Sequence, residues 1–197
     1  VLDLSSNCLF AIAPSLFVGN VMLRILNLSN NLIKRFDVDI VLLQNNRIEN
    51  IFLSNNKIER IFIRNDNKTL PALKLLDLSD NYILKEIILQ SKQIEHLSIN
   101  GNKEAFLNFE YLAKLKKLYV NGQGFKKHSF DAIRRFKSYE NLTEIDLSNS
   151  ANLLINEIMI QLNNSNRVEK LFLRNTTINM FSLYTIDFSY LLEIDLG

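Results

Sequence analysis

A short apolar pattern recurs along the whole chain and limits its fold more than any other feature. Its best copy spans residues 23–33, LRILNLSNNLI, with apolar side chains at Leu23, Leu26 and Leu28 and an asparagine at Asn31. One copy is too short to bury its own apolar face, so the copies must stack against one another. The pattern therefore predicts an elongated array in which each copy supplies one short strand.

The spacing of the copies agrees with this arrangement. Measured from one asparagine position to the next, the steps are 24, 25, 25, 21, 21, 27 and 26 residues, which suits one strand and one return segment per coil. The positions are Asn7, Asn31, Asn56, Asn81, Asn102, Gln123, Ser150 and Thr176. We expect local adjustment where glutamine, serine or threonine replaces the inward amide. Residues 1–197 are predicted to form one α/β array of about eight coils, without a cap at either end.

Between Asn31 and Asn81 the pattern also matches at ten-residue spacing, which is too short for successive coils of about 20 residues or more. One register puts a strand in step with Asn56 and places residues 41–43 and 61–63 on the opposite side as extended segments. The rival register makes strands of those two segments and leaves a step of 15 residues on each side. We prefer the first register because its steps are equal.

The return segments carry a second apolar row. Six residues before the first leucine of a copy stand large apolar side chains, at Phe17, Ile88, Phe109, Phe136 and Leu162. We also expect Leu16, beside Phe17, to plug the first connector. Apolar residues at helical spacing predict short helices in residues 105–115, 129–139 and 153–162. The earlier return segments are rich in β-branched residues and are predicted to be extended.

The pattern L-x-x-L-x-L-x-x-N-x-L, the steps of 21–27 residues and the Leu16–Phe17 connector resemble leucine-rich repeat proteins of the typical extracellular class. Toll-like receptor ectodomains and secreted insect immune repeat proteins look most similar. The resemblance covers the whole chain. It implies a leucine-rich repeat solenoid with a curved parallel β-sheet on its concave face, and with extended segments and then short helices on its convex face.

This resemblance implies a non-enzymatic protein-recognition module of an extracellular or secreted innate-immune or adhesion receptor, which binds protein or microbial ligands. The alternative is an intracellular leucine-rich repeat scaffold or regulatory subunit that mediates protein–protein interaction. The single cysteine, Cys8, favours this alternative, because secreted domains often carry disulfides. In extracellular arrays, however, the cysteines are concentrated in terminal caps. This sequence contains no such cap, so its single cysteine says little about the compartment.

The outward residues of the strands are expected to line the concave sheet. Most of them are small and polar, but Phe52, Tyr119, Phe172 and Arg174 stand out as candidate ligand-binding residues. Aromatic and arginine side chains carry much of the binding energy at protein interfaces. The competing interpretation is that isolated exposed aromatics are ordinary. The repeated D-L-S sequence is interpreted as scaffold rather than as an acid–base pair.

No catalytic or cofactor motif accompanies the repeats. His96 and His128 lie apart, with no cysteine or carboxylate at metal-ligand spacing, and neither a G-x-x-x-x-G-K-[ST] nor a G-x-G-x-x-G sequence occurs. We therefore expect no enzyme activity, no cofactor and no metal.

Residues 114–137 are rich in lysine and arginine, and two partners fit such a stretch, an acidic surface and a nucleic acid. We favour a solvated convex face, since the net charge of +2 gives no general attraction to nucleic acid or membrane. The expected partner is a protein ligand or co-receptor, with a dimer as a further possibility and no nucleic acid. No apolar run is long enough to span a bilayer, so membrane contact is expected only through segments outside this sequence.

The chain contains five N-x-[ST] sequons, which mark candidate glycosylation sites in a secreted protein. They begin at Asn27, Asn67, Asn141, Asn163 and Asn175. Because the excess over chance is small, the sequons favour an extracellular location only weakly. Asn27 and Asn175 are expected on the concave face, where a glycan would cover part of the binding surface.

Overall fold

The computed structural model describes twelve short strands, one α-helix and one 3₁₀ helix. The described residues are 1–14, 16–42, 45–63, 70–81, 86–102, 106–108, 112–122, 138–150, 162, 167–176, 178 and 189–197. The strands are β1 Leu2–Asp3, β2 Ile25–Asn27, β3 Asn50–Phe52, β4 Arg60–Ile63, β5 Leu75–Asp77, β6 Glu86–Leu89, β7 His96–Ser98, β8 Phe106–Asn108, β9 Lys117–Tyr119, β10 Glu144–Asp146, β11 Lys170–Phe172 and β12 Glu193–Asp195. The helices are α1 Val38–Val41 and the 3₁₀ helix η1 Ser138–Asn141.

All strands pair in parallel and form two sheets. In the described residues, the long sheet has nine strands in the order β1-β2-β3-β5-β7-β9-β10-β11-β12. The short sheet has three, in the order β4-β6-β8. Because each strand of the short sheet lies in sequence between two strands of the long sheet, the chain winds from one sheet to the other and back. This winding is the predicted solenoid.

The pairing decides between the two registers of the early coils. Leu26 pairs with Ile51, and Ile51 pairs with Leu76, so β3 belongs to the long sheet in step with Asn56. Residues 61–63 lie in β4, on the short sheet. The preferred register is therefore confirmed at both places.

The return segment of the second coil differs from the prediction. Residues 41–43 were expected to be extended, but α1 occupies Val38–Val41 and ends just before Leu42. Val38, Val41 and Leu42 are all buried, at 1%, 4% and 1% exposure. Their spacing of three and four residues is that of a helical face, and it competes with the strand pattern in the same sequence. Leu43 lies outside the described residues.

Other expectations for the return segments were also wrong. A helix was predicted over residues 105–115, yet β8 occupies Phe106–Asn108. Ile88 was expected inward, but β6 alternates so that Ile87 and Leu89 are buried and Ile88 is only half-buried. Leu16 is 51% exposed, so of this expected pair only Phe17 is buried.

Two members of the second apolar row are confirmed, and the members other than these and Ile88 are untested. Phe17 and Leu162 are buried as predicted, each at 1% exposure. Phe109 and Phe136 lie outside the described residues. So do nearly all of the helices predicted at 129–139 and 153–162.

The core is a set of stacked rows between the two sheets. The middle residues of strands inside the long sheet, such as Leu26, Ile51 and Leu97, are fully buried and lie directly beside their counterparts in neighbouring coils. Each buried aliphatic side chain stabilises the fold by about 1.5–3 kcal/mol. Since a row is completed only by the next coil, this stabilisation belongs to the stack rather than to a single repeat.

A ladder of buried asparagines runs along the carboxyl ends of the long-sheet strands, as predicted. The amide of Asn56 donates to Leu28 O of the preceding coil at 2.9 Å and to Leu53 O of its own coil at 3.1 Å. Its Oδ1 accepts from Ile33 N at 3.0 Å. One side chain thus satisfies backbone groups in two coils that no strand partner reaches.

The hydroxyl substitutes at the late end of the ladder adjust as expected. Ser150 Oγ reaches Val120 O of the preceding coil at 3.0 Å, whereas among the described residues Thr176 Oγ1 bonds only to Leu173 O of its own coil, at 2.6 Å. Each hydroxyl therefore satisfies fewer groups than an amide does. Gln123 lies outside the described residues.

A further buried asparagine was not recognised in the sequence. Asn45 is 0% exposed, and its amide donates to Phe17 O at 3.2 Å and to Asn20 O at 2.9 Å. It therefore joins the return segment of one coil to the connector of the coil before it.

In the described part of the chain, no helix has the length and the apolarity needed to cross a membrane.

Replacing a ladder asparagine should destabilise the protein far more than replacing its exposed neighbour. Asn81→Ala removes the hydrogen bonds to Leu53 O and Leu78 O and leaves Ile58 N without its partner, and we expect the free energy of unfolding to fall by at least about 2 kcal/mol. Asn55→Gly is the control, because Asn55 is exposed; it should change stability by less than about 0.5 kcal/mol. Urea unfolding followed by circular dichroism measures both. Equal losses would contradict the ladder's role.

Candidate functional site

The outer face of the long sheet carries two rows of side chains that flank the buried middle residues. One row is formed by the last residue of each strand, and we call it the central row. It consists of Asp3, Asn27, Phe52, Asp77, Ser98, Tyr119, Asp146, Phe172 and Asp195. The other row, two residues earlier in each strand, is called the charged row. Its last five members are His96, Lys117, Glu144, Lys170 and Glu193.

Three of the four predicted binding residues come together at the late end of this face. Asp146 pairs with Tyr119 on one side and with Phe172 on the other. Adjacent strands lie about 4.8 Å apart, so the two aromatic residues stand roughly 10 Å apart with one carboxylate between them. Arg174, which is exposed, follows β11 and forms an ion pair with Asp195 at 2.5 Å. Phe52 lies three strands away from Tyr119 and does not join them.

Tyr119 is held by a partner that the sequence analysis missed. Its hydroxyl donates to Glu144 Oε1 at 2.5 Å, and Lys117 Nζ lies 2.9 Å from Glu144 Oε2. Burial of the ring and this bond to a carboxylate raise the pKa of Tyr119, so the phenol stays protonated and donates. Burial alone would raise the pKa of Glu144, but the bonds from Tyr119 and Lys117 outweigh it and lower that pKa.

Ion pairs along the coils continue on both sides of this contact. Lys170 Nζ lies 3.0 Å from Glu193, and Lys116 Nζ lies 2.8 Å from Glu95. Burial of the imidazole, followed by the nearby charge of Lys117, lowers the pKa of His96. The charged row is therefore largely neutralised within itself. Its residues could have been found by counting two positions back from each predicted outward residue.

The aspartates of the central row have a structural task, as the D-L-S interpretation predicted. Asp146 Oδ1 accepts from Ser148 N at 2.9 Å, and Asp77 Oδ1 accepts from Ser79 N at 3.0 Å. Asn27 Oδ1 makes the equivalent bond to Ser29 N at 3.1 Å. Because an uncharged amide suffices at Asn27, the negative charge of the aspartates is not required for the turn.

The residue before each ladder position adopts a left-handed conformation, which explains why small and polar residues occupy it. The φ angles are 57° at Asn30, 51° at Asn55 and 56° at Asp80, and 71° at both Gly101 and Gly122. Asparagine, aspartate and glycine tolerate this region best. These positions follow the strands, so their composition reflects the turn and not a ligand.

The sequons fall in different surroundings. Asn141 is exposed in η1, and its amide donates to Ala113 O at 2.9 Å. Asn27 is half-buried in β2, and Asn175, with a φ of 50°, donates to Asn149 at 3.0 Å. Asn67 and Asn163 lie outside the described residues.

The described part of the basic stretch is paired with neighbouring coils. Lys114 Nζ donates to Gln93 Oε1 at 2.8 Å, while Lys116 and Lys117 pair with Glu95 and Glu144. Residues 123–137 are not described. Over the part of the chain that the structure describes, no group of three or more His, Cys, Asp or Glu side chains is placed to hold a metal ion.

Solved structures with the same architecture cover almost the whole chain. The leucine-rich repeat domain of APL1B is 18% identical, with a TM-score of 0.68 over 98% of this chain and 53% of that chain. The TLR13–ssRNA13 complex gives 25% identity and a TM-score of 0.73 over 98% of this chain and 28% of that chain. A leucine-rich repeat protein of Leptospira interrogans gives 19% and 0.54, over 98% and 54%.

No protein-family model and no curated protein sequence matches the chain. The chain spans about half the length of the APL1B domain and less of TLR13. Together with the stacked parallel strands, these likenesses establish a leucine-rich repeat solenoid that resembles Toll-like receptor and insect immune repeat structures.

Two variants of Asp146 distinguish the contribution of its hydrogen bond to stability from that of its negative charge. Asp146→Ala removes the acceptor for Ser148 N and should lower the free energy of unfolding by about 1 kcal/mol. Asp146→Asn keeps an acceptor oxygen in place, as at Asn27, and should stay within about 0.5 kcal/mol of the wild type. Urea unfolding of the two variants measures the difference. Equal destabilisation would mean that the carboxylate's charge, rather than its oxygen, stabilises the turn.

Proposed function

We propose that the chain is a non-enzymatic protein-recognition module of an extracellular or cell-surface receptor in innate immunity or adhesion. The observation that carries the proposal is the set formed by Tyr119, Asp146, Phe172 and Arg174 on the outer face of the long sheet. Aromatic and arginine side chains are those that dominate binding energy at protein interfaces.

The geometry supports binding because the side chains are already held in place. Tyr119 is fixed by Glu144, and Arg174 by Asp195, so little side-chain freedom is lost when a partner docks. Asp146 Oδ2 has only a long hydrogen bond, 3.4 Å, from Asn121, and no ion-pair partner among the described residues. Its charge is therefore available to a donor on a partner protein.

The proposed compartment rests on the resemblance to extracellular repeat proteins and on the exposed sequon at Asn141. The alternative is an intracellular leucine-rich repeat scaffold or regulatory subunit, favoured by the single, exposed Cys8. Anchoring to a membrane through other segments and dimerisation are compatible with either proposal.

Nucleic acid is the second candidate partner. The specific observation in its favour is the similarity to TLR13, which was solved in complex with ssRNA13. The expectation of no nucleic-acid partner has no support from that comparison. On the outer face of the long sheet, however, the central row carries the carboxylates of Asp3, Asp77 and Asp146, which have no ion-pair partner among the described residues, and that of Asp195, which pairs with Arg174. Phosphate groups are repelled by such a row, so we favour a protein there.

The test is selective loss of partners. The protein, immobilised after secretion from cultured eukaryotic cells, is incubated with extracellular fluid of the source organism, and retained proteins are quantified by mass spectrometry. In the Tyr119→Ala/Phe172→Ala variant, the retained amount of a defined subset of proteins should fall at least tenfold. This corresponds to a loss of about 1.4 kcal/mol or more of binding free energy. Val21→Ala/Met22→Ala is the control, because it removes two exposed apolar side chains from the first connector, 51% and 65% exposed.

Identical sets of retained proteins for the two double variants would overturn the proposed surface. Retention of single-stranded RNA that disappears only in Tyr119→Ala/Phe172→Ala would favour the nucleic-acid candidate. Glycopeptide mapping of the same secreted preparation tests the compartment. A glycan at Asn141 is expected, and a complete lack of occupancy would favour the intracellular alternative.

A further inference from the structure

A cavity of about 550 Å³ lies on the other side of the solenoid from the central row. Residues 34–37 line it on one side, and Glu59, Arg60 and Phe62, in and just before β4, complete its lining. It coincides with a change in architecture. The second coil places α1 on this side, whereas the third places β4 there, so β4 is the edge of the short sheet and, among the described residues, no strand continues the sheet beyond it.

Phe62 gives the cavity an exposed aromatic wall. Its position in β4 alternates with the buried Ile61 and Ile63, so its ring points away from the core and is 42% exposed. The neighbouring residue in the short sheet is Ile88, which is half-buried. An apolar side chain of a ligand would therefore find an apolar surface here that extends across two strands.

The charges of the lining are unequally satisfied. Lys34 and Arg35 are exposed, and within the described residues neither has an ion pair or a side-chain hydrogen bond. Arg60 is only loosely paired, 3.9 Å from Glu86, with its side chain 65% exposed. The lining also holds two carboxylates, Asp37 and Glu59, and each of these residues takes part in a further interaction. With three cations and two carboxylates, the cavity has a net positive charge beside an aromatic ring.

We propose that this cavity is a second binding site, which takes an extended acidic segment of a partner protein. Lys34 and Arg35 would bind a carboxylate of the segment, with Arg60 close to the same place. An adjacent aliphatic or aromatic side chain would pack on Phe62. The volume lies within the range of sites that hold small ligands or a few side chains.

A peptide fits this lining better than a nucleic acid does. Binding to a phosphate backbone depends on a run of cations that neutralises successive phosphates. Here only three cations line the cavity and Asp37 and Glu59 interrupt them, so they do not form such a run. A segment that alternates single carboxylates with apolar side chains matches both the separated charges and the ring. The site is independent of the proposed recognition surface on the long sheet.

Fluorescence anisotropy tests the site with a labelled nine-residue peptide of alternating glutamate and leucine. Lys34→Ser/Arg35→Ser should weaken its binding at least tenfold, and Phe62→Ser at least fivefold. Lys57→Ser/Lys92→Ser removes two other exposed lysines and should leave binding within twofold. Tyr119→Ala/Phe172→Ala should also bind the peptide normally, which separates this site from the proposed function. Thermal unfolding verifies that each variant is folded.

Three results would overturn the inference. The first is no saturable binding of the acidic peptide by the wild-type protein. The second is equal weakening of peptide binding by Lys34→Ser/Arg35→Ser and by Lys57→Ser/Lys92→Ser, because general electrostatic attraction would then explain the binding. The third is tighter binding of a nine-nucleotide single-stranded RNA that is lost in Lys34→Ser/Arg35→Ser, since a nucleic acid would then be the occupant.

Discussion

The hydrogen bonds of the buried asparagine ladder are the interaction on which the rest of the structure depends. Asn56 and Asn81 each bond to the carbonyl at the end of their own strand and to one in the preceding coil, and they accept from a backbone amide of that coil. A stack of coils could slide if only apolar rows held it, because leucine and isoleucine side chains are interchangeable. The directional bonds fix one alignment, and every outward side chain then has a defined neighbour.

That alignment produces the surface. Glu144 can hold Tyr119 and Lys117 together only because their strands are in register, and Asp146 lies between two aromatic residues for the same reason. The charged row is neutralised by contacts between coils, whereas the central row keeps its carboxylates. The proposed recognition surface would therefore use different atoms of the same residues from those that hold the structure, since one oxygen of Asp146 forms the turn.

The long sheet and its ladder could be predicted because they repeat, so each copy tests the others. The return segments do not repeat. Val38, Val41 and Leu42 fit a helix and a strand equally well in isolation, and only the packing against the next coil decides. The same ambiguity hid β8 and the outward side of Ile88. Of the site, Tyr119, Phe172 and Arg174 could be found in sequence, but the bond from Tyr119 to Glu144 spans 25 residues and follows from the register alone.

The most direct test of this account measures the strand register in the early coils, where the sequence allowed two registers. Short bismaleimide cross-linking is compared in two double variants of a Cys8→Ser protein, with yields measured by mass spectrometry. Asn27→Cys/Phe52→Cys joins residues that are direct partners in β2 and β3 and should cross-link efficiently. Asn27→Cys/Leu42→Cys, the pair expected from the rival register, should react poorly because Leu42 follows α1 on the opposite side. The reverse result would contradict the ladder's alignment and the surface derived from it.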